Sequence, residues 1–358
     1  MKTVLISTGG SGGHVIPALN IYDHLKTKHD VRLYTDIRGA KFIPKEVDKT
    51  IFEVKKIPEK KYLFLLKVLF LTFAFIKAII HFSQNKFDIV VSTGGYMSLP
   101  IVLAAKLFKK KIFLFEPNSI IGRSNKFLLK FTNKIFCYDK NIIGIDKNYK
   151  DKIIELSPIL QKCMYIKKNL NYTDNKKIKI LVVGGSQASL FFSQNLKNEI
   201  IKLSSKINLE LTQQLSSGYN INNYKKDYEK NNIKNNLFFF EENFLCKNSN
   251  FDIAITRSGA SSLAELCHLN IPFIAVPFPS ATDNHQLFNA KRYADLNCCW
   301  ILEEKNFNSG DIFKIINEIM LNKKDRNHQC GAAAHDTNVE HPEMQVTDRA
   351  PNPPPQQE

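Results

Sequence analysis

A glycine-rich loop near the amino terminus carries the first residues whose types and spacing could do chemistry. It reads Ser-Thr-Gly-Gly-Ser-Gly-Gly-His over residues 7–14, between the strand-like run Thr3–Ser7 and the amphipathic run Pro17–Leu25. Glycines let the backbone turn tightly and approach a ligand closely. The free N–H groups at the start of the following helix favour an anion such as a diphosphate. His14, at the end of the loop, adds a side chain that can accept a proton near neutral pH.

The same loop leaves a dinucleotide cofactor open as an alternative. The spacing Gly10-x-Gly12-x-x-Val15 lacks the third glycine of the dinucleotide-binding fingerprint. Asp36, however, stands at the end of the second strand-like run, where an acidic residue would bind a ribose. Nicotinamide binding is therefore a second interpretation of this segment.

Two further glycine turns follow strand-like runs in the second half of the chain. Residues 184–187 (Gly-Gly-Ser-Gln) precede the helical run 188–196, and residues 256–262 (Thr-Arg-Ser-Gly-Ala-Ser-Ser) enter a helix that carries Glu265. Small residues there permit several backbone N–H groups to bind one diphosphate. We expect Glu265 to accept hydrogen bonds from ribose hydroxyls, with a solvent-facing helix glutamate as the alternative. The residues expected to hold the diphosphate are Gly185, Ser186, Arg257, Ala260 and Ser261.

A polar cluster follows the next strand-like run. Asp283-Asn284-His285-Gln286 and Asn289 open a helix at the carboxyl end of that strand, where open α/β sheets bind ligands. Side-chain amides suit sugar hydroxyls because each amide offers both donors and an acceptor. This cluster predicts a sugar-binding edge.

Strand-like runs alternate with helix-length segments throughout, which is typical of βαβ units and parallel sheets. We therefore predict an α/β protein with two Rossmann-like, doubly wound parallel-sheet domains facing a cleft. The domains span residues 1–157 and 178–325, with a linker at 158–177 that is rich in Lys, Asn and Tyr. The predicted strands are Thr3–Ser7, Val31–Thr35, Ile89–Ser92, Ile112–Phe115, Ile178–Val183, Leu209–Thr212, Leu237–Phe240, Ile253–Thr256 and Phe273–Val276.

The carboxyl-terminal residues 326–358 differ in kind from the rest. They contain five prolines and no Lys, Ile, Leu, Phe, Tyr or Trp, so they cannot bury enough apolar area to offset the entropy of ordering. We expect a disordered tail that is foreign to the fold, such as a frameshifted or spliced-on end.

The composition of the chain indicates which cellular compartment and which binding partners to expect. Seven cysteines without regular spacing indicate reduced thiols rather than a disulfide framework or a zinc site, and no signal peptide is visible. The net charge of +16 suggests a polyanionic partner, namely a nucleic acid, an anionic lipid surface or a phosphorylated substrate, and a solubilising surface is the alternative. A nucleic acid would account for that charge, but the chain carries no recognised DNA- or RNA-reading motif, so we predict no nucleic acid.

The most apolar segment is 62–82. Lys67 and Lys77 interrupt it, which argues against a spanning helix. A buried crossover helix is one interpretation. An apolar face surrounded by lysines and seated on an anionic bilayer surface is the other, and both hold if they describe different faces. We favour peripheral membrane contact. The surrounding lysines are Lys55, Lys56, Lys60, Lys61 and Lys67.

These blocks together resemble the MurG family of peptidoglycan glycosyltransferases, in the family's order and spacing over about residues 1–325. The resembling blocks are Gly9–Leu19, Ser92–Pro100, Glu116–Asn125, Gly184–Ser189, Arg257–Leu266 and Val276–Ala290. The resemblance implies the type B glycosyltransferase fold, with acceptor lipid in the amino-terminal domain and UDP-N-acetylglucosamine (UDP-GlcNAc) in the carboxyl-terminal domain. It implies a location on the cytoplasmic face of the inner membrane.

The resemblance also implies the site residues. On the donor side they are Ser11, Gly12, Gly13, Ser186, Glu241, Arg257, Ala260, Ser261, Glu265, His285 and Gln286. On the acceptor side they are Gly95, Tyr96, Asn118 and Asn125. The chain departs from the family's pattern at Pro117 (usually Gln), Ala188 (usually Gly), His285 (often Gln) and Leu160-Gln161, where an arginine is usual.

The implied reaction forms lipid II from lipid I. The 4-hydroxyl of undecaprenyl-diphosphate-linked N-acetylmuramic acid (MurNAc)-pentapeptide attacks the anomeric carbon of UDP-GlcNAc and displaces UDP with inversion. His14 is the candidate base, and the alternative is that it only hydrogen-bonds the loop or a phosphate. We expect no cofactor and no obligatory metal. Rival functions are a UDP-GlcNAc 2-epimerase, a glycolipid glycosyltransferase, or an inactive relative.

Overall fold

The computed structural model describes residues 1–54, 64–165, 177–185, 190–239, 241 and 243–321. Within these residues, the chain forms two parallel sheets with strand orders β3-β2-β1-β4-β5-β6-β7 and β10-β9-β8-β11-β12-β13. The strands of the first sheet are β1 Thr3–Ser7, β2 Asp30–Thr35, β3 Lys49–Ile51, β4 Ile89–Ser92, β5 Lys111–Glu116, β6 Lys134–Cys137 and β7 Ile153–Glu155. Those of the second are β8 Ile178–Val183, β9 Leu209–Gln214, β10 Lys234–Phe238, β11 Ile253–Thr256, β12 Phe273–Ala275 and β13 Cys299–Ile301.

Helices connect these strands and cover both sheets. They are α1 Gly12–Leu25, α2 Ile37–Ala40, α3 Phe64–Gln84, α4 Ser98–Leu107, α5 Arg123–Leu128, α6 Leu190–Ser204, α7 Ile221–Lys230, α8 Phe244–Lys247, α9 Ala260–His268, α10 His285–Asp295 and α11 Ser309–Leu321. Successive residues of β1 point to opposite faces of the sheet. Leu5 packs with Tyr34 and Val90 on one face, while Val4 and Ile6 pack on the other. Burial on both faces is what near-continuous apolar strands require. The predicted doubly wound α/β class is confirmed.

The strand order reverses at equivalent places in the two sheets. β1 pairs with both β2 and β4, and β8 pairs with both β9 and β11. Crevices form at the carboxyl ends of strands beside such a reversal. The glycine turns of the sequence follow β1, β8 and β11, so the fold brings all three to these crevices.

Several short strands were not predicted, namely β3, β6, β7 and β13. Each has only three or four residues, at or below the shortest run that marks a strand in a sequence. The prediction of Leu237–Phe240 was displaced, because β10 begins at Lys234 and ends at Phe238. Its pairing with β9 fixes that register across a Lys-Asn-Asn segment that has low strand propensity.

The expectation that the cysteines are all reduced is wrong for one pair. Cys163 and Cys246 form a disulfide with a Cα–Cα distance of 5.7 Å. The two residues are 83 positions apart, so only the fold, which places the linker segment beside α8, brings them together. Among the described residues, the free cysteines Cys137, Cys267, Cys298 and Cys299 are all buried.

Helix α3 has two different faces. Ala74, Ala78 and Phe82 are buried against the first sheet, whereas Leu69 and Phe73 are 63% and 56% exposed. The predicted crossover helix is thus observed over Phe64–Gln84, with one buried face and one exposed apolar face. Contact of the exposed face with a bilayer stays a prediction. None of the helices in the described ranges is long and apolar enough to cross a membrane. The flanking lysines 55, 56, 60 and 61, and the side chain of Lys67, lie outside the described part.

Candidate active site

A cavity of about 460 Å³ lies between the two sheets and takes its walls from both halves of the chain. Its amino-terminal wall consists of residues 11–14, 16, 94, 95, 116, 118 and 120–125. Its carboxyl-terminal wall consists of residues 184, 185, 257, 259–262, 282, 283, 285 and 286. Most of the predicted site residues from both halves therefore share one cleft.

The first glycine loop is fixed by Asp36. Although burial opposes its charge, the carboxylate accepts hydrogen bonds from the N–H groups of Gly10 (2.9 Å) and Gly39 (2.8 Å) and pairs with Arg38 (2.8 Å), and together these contacts lower its pKa. Gly10 has φ +87°, a conformation that favours glycine. Asp36 is the carboxylate that would bind the ribose of a dinucleotide, and in this structure it holds the glycine loop instead.

His14 stands at the start of α1 with its ring oriented by the next loop. Its Nδ1 donates to the carbonyl oxygen of Thr93 at 2.8 Å. Because a carbonyl only accepts, Nδ1 carries the proton in the neutral ring, and Nε2 is left as the proton acceptor. The side chain lines the cavity. This is the tautomer that a general base requires.

Two glycines after β4 allow the close approach to His14. Gly94 and Gly95 have φ of +97° and +89°. A Cβ on Gly94 would lie 3.1 Å from Cε1 and Nδ1 of His14, and a Cβ on Gly95 would lie 2.7 Å from the carbonyl oxygen of Gly9. The second turn therefore supports the first one at backbone distance, and side chains cannot be tolerated there without displacement.

Glu116 organises the acceptor side, and the sequence analysis did not single it out as a site residue. The side chain is 1% exposed. Its Oε1 accepts from Asn118 Nδ2 (2.8 Å), and its Oε2 accepts from Gly122 N (2.9 Å) and Asn125 Nδ2 (3.0 Å). A carboxylate directly at the carboxyl end of β5 was the available signal. Asn125 Oδ1 is buried at the cavity wall and has no hydrogen-bond partner within the described residues.

The start of α9 faces the cavity from the other side. Its capping residue Gly259 provides no side-chain cap, so N–H groups of the first turn are left for a ligand. Ala260, Ser261 and Ser262 line the cavity beside Gly185, which has φ +79°. Ser186 lies outside the described residues, and its predicted role stays a prediction.

Arg257 lines the cavity, but its guanidinium is already engaged by other groups of the protein. It donates to the carbonyl oxygen of Val276 at 3.1 Å and pairs with the carboxylate of Glu304. The rings of Phe191 and Phe192 lie 5.1 and 5.2 Å from the guanidinium carbon. A direct contact with a diphosphate stays a prediction, and the described contacts instead fix the Arg257 side chain under the donor loop.

The α10 end of the cavity is built from polar side chains with defined orientation. His285 Nδ1 donates to the carbonyl oxygen of Thr282 at 2.8 Å. Gln286 Oε1 accepts from Phe278 N (2.9 Å) and Ser258 N (3.3 Å), so its amide nitrogen is the group that can donate to a ligand. Both side chains line the cavity, where the sequence analysis expected them.

Three predicted residues lie outside the cavity wall that the described residues form. Tyr96 packs against the core beside α4, and burial raises its pKa. Glu241 pairs with Lys247 at 3.1 Å. Glu265 is half-buried on α9, and burial raises its pKa to about 7. Their ligand contacts remain predictions.

The comparisons with known proteins agree with this geometry. The glycosyltransferase family 28 amino-terminal domain matches residues 4–137, and the glycosyltransferase family 28 carboxyl-terminal domain matches residues 179–341. A UDP-N-acetylglucosamine–N-acetylmuramyl-(pentapeptide) pyrophosphoryl-undecaprenol N-acetylglucosamine transferase of Pelagibacter ubique is 42% identical over 90% of this chain and 91% of its own length. The chain belongs to this family of transferases. The Rickettsia canadensis relative of the same name is 32% identical over 90% of this chain and 92% of its own length.

Solved structures share the fold of this family 28 chain. Acinetobacter baumannii MurG superposes with a TM-score of 0.75 at 21% identity and covers 94% of this chain and 95% of its own. The S. aureus MnaA–UDP co-structure reaches 0.62 at 12% identity, with 94% of both chains covered. These structures agree with the predicted two-domain fold, and the family 28 matches make the chain a glycosyltransferase.

The departures from the family's pattern fall partly within the described residues. Leu160, near the position where an arginine is usual, is buried against Met164 and Ala264. That position therefore contributes to packing between the linker and α9. Ala188 lies outside the described residues, as does the tail from 326 to 358. The carboxyl-terminal family match nevertheless extends to residue 341.

Proposed function

We propose that this chain transfers GlcNAc from UDP-GlcNAc to the C4 hydroxyl of undecaprenyl-diphosphate-linked MurNAc-pentapeptide, with inversion. The 42% identity to a transferase of that name, over nine tenths of the chain, carries the proposal. His14 and the start of α9 line the same cleft, which supports this reaction. One wall of the cleft offers a general base and the other offers a site for an anion.

The donor side of the reaction is assigned to the carboxyl-terminal wall. The diphosphate of UDP-GlcNAc lies at the amino terminus of α9 and beside Gly185, where unpaired N–H groups stabilise the charge that develops on the leaving UDP. Gln286 and His285 bind the sugar, and Glu265 accepts from the ribose. Calorimetry with UDP tests this directly, because replacement of Ala260 by aspartate would place a negative charge at the anion site and abolish the binding heat.

The acceptor side is assigned to the loops that Glu116 organises. The C4 hydroxyl loses its proton to His14 Nε2 while its oxygen bonds to the anomeric carbon, and the bond from that carbon to the diphosphate oxygen breaks. Thr93 keeps the imidazole in the required tautomer through the 2.8 Å bond to Nδ1. Asn125, whose Nδ2 donates to Glu116 Oε2 at 3.0 Å, lies in the acceptor wall of the cleft.

Substitution of His14 tests the assignment of the base. His14→Ala should lower kcat by roughly 10²–10⁴, the range for loss of a general base, and leave the Kd of UDP within about threefold. His24→Ala is a control histidine on the same helix, with its Nε2 bonded to the carbonyl of Leu160 outside the cavity. Full activity in His14→Ala would remove His14 from the catalytic step.

Peripheral membrane contact is proposed for the exposed face of α3 and its neighbours. Leu107 on α4 and Phe127 on α5 are further exposed apolar residues of the same domain, at 60% and 50% exposure. Lys77 lies 4.7 Å above the ring of Phe73, and Lys130 lies 4.8 Å above that of Phe127. Apolar side chains surrounded by cations are suited to an anionic bilayer surface, which for a lipid-linked acceptor is the cytoplasmic face of the inner membrane.

Vesicle flotation tests the membrane proposal. Phe73→Asp should lower binding to vesicles with anionic lipid by at least about tenfold, since an exposed apolar side chain that the bilayer would bury is replaced by a charge. Leu296→Asp, an exposed apolar residue at the end of α10, serves as the matched control. Equal flotation of both variants and the unchanged chain would contradict a docking role for this face.

A further inference from the structure

Asn289 lies on α10 at the contact between the two domains and is 2% exposed. The sequence analysis assigned its amide to sugar hydroxyls. The structure instead uses the amide for three protein contacts. Its Oδ1 accepts from Ser119 N at 2.9 Å, and its Nδ2 donates to Asn118 Oδ1 at 3.0 Å and to the carbonyl oxygen of Ser258 at 3.1 Å. Both amide hydrogens are thereby used.

These three contacts join both substrate loops. Asn118 and Ser119 belong to the loop after β5, which forms the acceptor wall of the cavity. Ser258 belongs to the loop between β11 and α9, directly before the residues that face the donor diphosphate. The Asn289 side chain is therefore a short connection, through one planar amide, between the acceptor loop and the donor loop.

The connection continues into the acceptor wall. Asn118 Nδ2 donates to Glu116 Oε1 at 2.8 Å while its Oδ1 accepts from Asn289. Glu116 in turn holds Asn125 and Gly122. A continuous series of hydrogen bonds thus runs from the Ser258 carbonyl through two amides to the carboxylate that shapes the acceptor site. Buried and mutually satisfied bonds of this kind fix one geometry.

A second interdomain contact is exposed. Arg123 pairs with Asp283 at 2.9 Å, but its side chain is 67% exposed. Exposed pairs contribute little because solvent screens them. Asp283 and the next residue, Asn284, both have left-handed φ values, of 53° and 54°. The buried amide of Asn289, rather than this outer pair, is suited to set the spacing of the loops.

We propose that Asn289 is a positioning residue that holds the acceptor loop and the donor loop in register for transfer. The inference builds on the proposed function and adds a role in domain closure, since the bonds to Asn118 and Ser119 exist only while the domains are in contact. Asn289 itself touches neither substrate. Misplacement of reacting groups by about 1 Å costs on the order of 10² in rate, so loss of this residue should lower turnover more than donor binding.

Steady-state kinetics of Asn289→Asp test the proposal, with UDP-GlcNAc and a lipid I analogue as substrates. Aspartate keeps the size but loses both donors and places a carboxylate against two oxygens. We expect kcat to fall roughly 10- to 100-fold, with the Kd of UDP by calorimetry within about threefold. Asn223→Asp, on the exposed surface of α7, is the matched control for the charge change and should leave kcat unchanged.

Two results would overturn the proposal. One is a kcat of Asn289→Asp close to that of the unchanged chain, and the other is a loss of UDP affinity as large as the loss of kcat, which would make Asn289 a donor contact. Absence of transfer by the unchanged chain would instead contradict the proposed function.

A double-mutant cycle keeps the inference testable if the aspartate variant does not fold. Asn289→Ala and Asn118→Ala remove neighbouring members of one hydrogen-bonded series. The double variant should therefore lose less than about threefold beyond the poorer single variant, since coupled residues are not additive. Independent, multiplicative losses would contradict a shared positioning role.

Discussion

Glu265 gives the chain a pH dependence that can be worked out from its position on α9. Burial raises the pKa of this carboxyl from 4.5 to about 7. The folded chain therefore binds the proton more tightly than the unfolded chain does. Below about pH 4.5 the carboxyl is protonated in both the folded and the unfolded chain, so its ionisation does not change the free energy of unfolding. Stability is lost as the pH rises from there through about 7, because only the unfolded chain solvates the carboxylate well.

The size of the effect follows from the shift. About 1.4 kcal/mol accompanies each pKa unit, so the difference between 4.5 and about 7 corresponds to at most about 3.5 kcal/mol. Part of the Glu265 surface reaches solvent. We therefore expect about 1–2 kcal/mol after screening. Glu265→Gln removes the charge at constant shape and should abolish this contribution.

Urea unfolding of both chains between pH 5 and pH 8 measures it. The free energy of unfolding of Glu265→Gln minus that of the unchanged chain should grow by about 1–2 kcal/mol over this interval. Other titrating groups are common to both chains and cancel in the difference. A difference that stays constant within about 0.5 kcal/mol would refute the argument from burial. Glu241→Gln, at an exposed pair with Lys247, is the control.

Three further outcomes are expected. Gly94→Ala should lower kcat at least about tenfold, as shown by steady-state kinetics, because its methyl group meets the His14 ring at 3.1 Å in a left-handed conformation. Cys163→Ser should lower the free energy of unfolding by roughly 2–4 kcal/mol in urea titrations, because the Cys163–Cys246 bond closes a long loop. Chelation with EDTA should leave initial transfer rates unchanged.

Each of these outcomes has a contrary result. Unaltered kinetics in Gly94→Ala would show that His14 can move without consequence. If thiol alkylation of the unreduced native chain, followed by mass spectrometry, labelled Cys163 and Cys246, the two would be reduced. A rate that EDTA abolishes and added Mg²⁺ restores would establish a metal requirement.

The sequence was sufficient for the parts of the site that depend on local backbone. A strand followed by glycines and a helix is a local pattern, so the loops after β1, β8 and β11 could be placed before the structure was known. The apolar runs gave most central strands for the same reason. Short edge strands such as β3 and β7 lacked this signal, because pairing with a neighbour, and not their own sequence, makes them strands.

Contacts between distant residues could not be predicted in this way. Ser119 and Asn289 are 170 positions apart, and Cys163 and Cys246 are 83 apart. Arg257 was assigned to the diphosphate from its place beside a glycine turn, but its pairing with Glu304 appears only once β13 is in place. Side-chain orientation in the cleft is thus a product of tertiary packing.

Transfer of labelled GlcNAc from UDP-GlcNAc to a lipid I analogue by the purified full-length chain tests the central claim most directly. We predict a labelled lipid-linked disaccharide with a β linkage, formed together with one UDP for each sugar transferred. Release of UDP without any lipid-linked product, or no reaction at all despite bound UDP, would contradict the account.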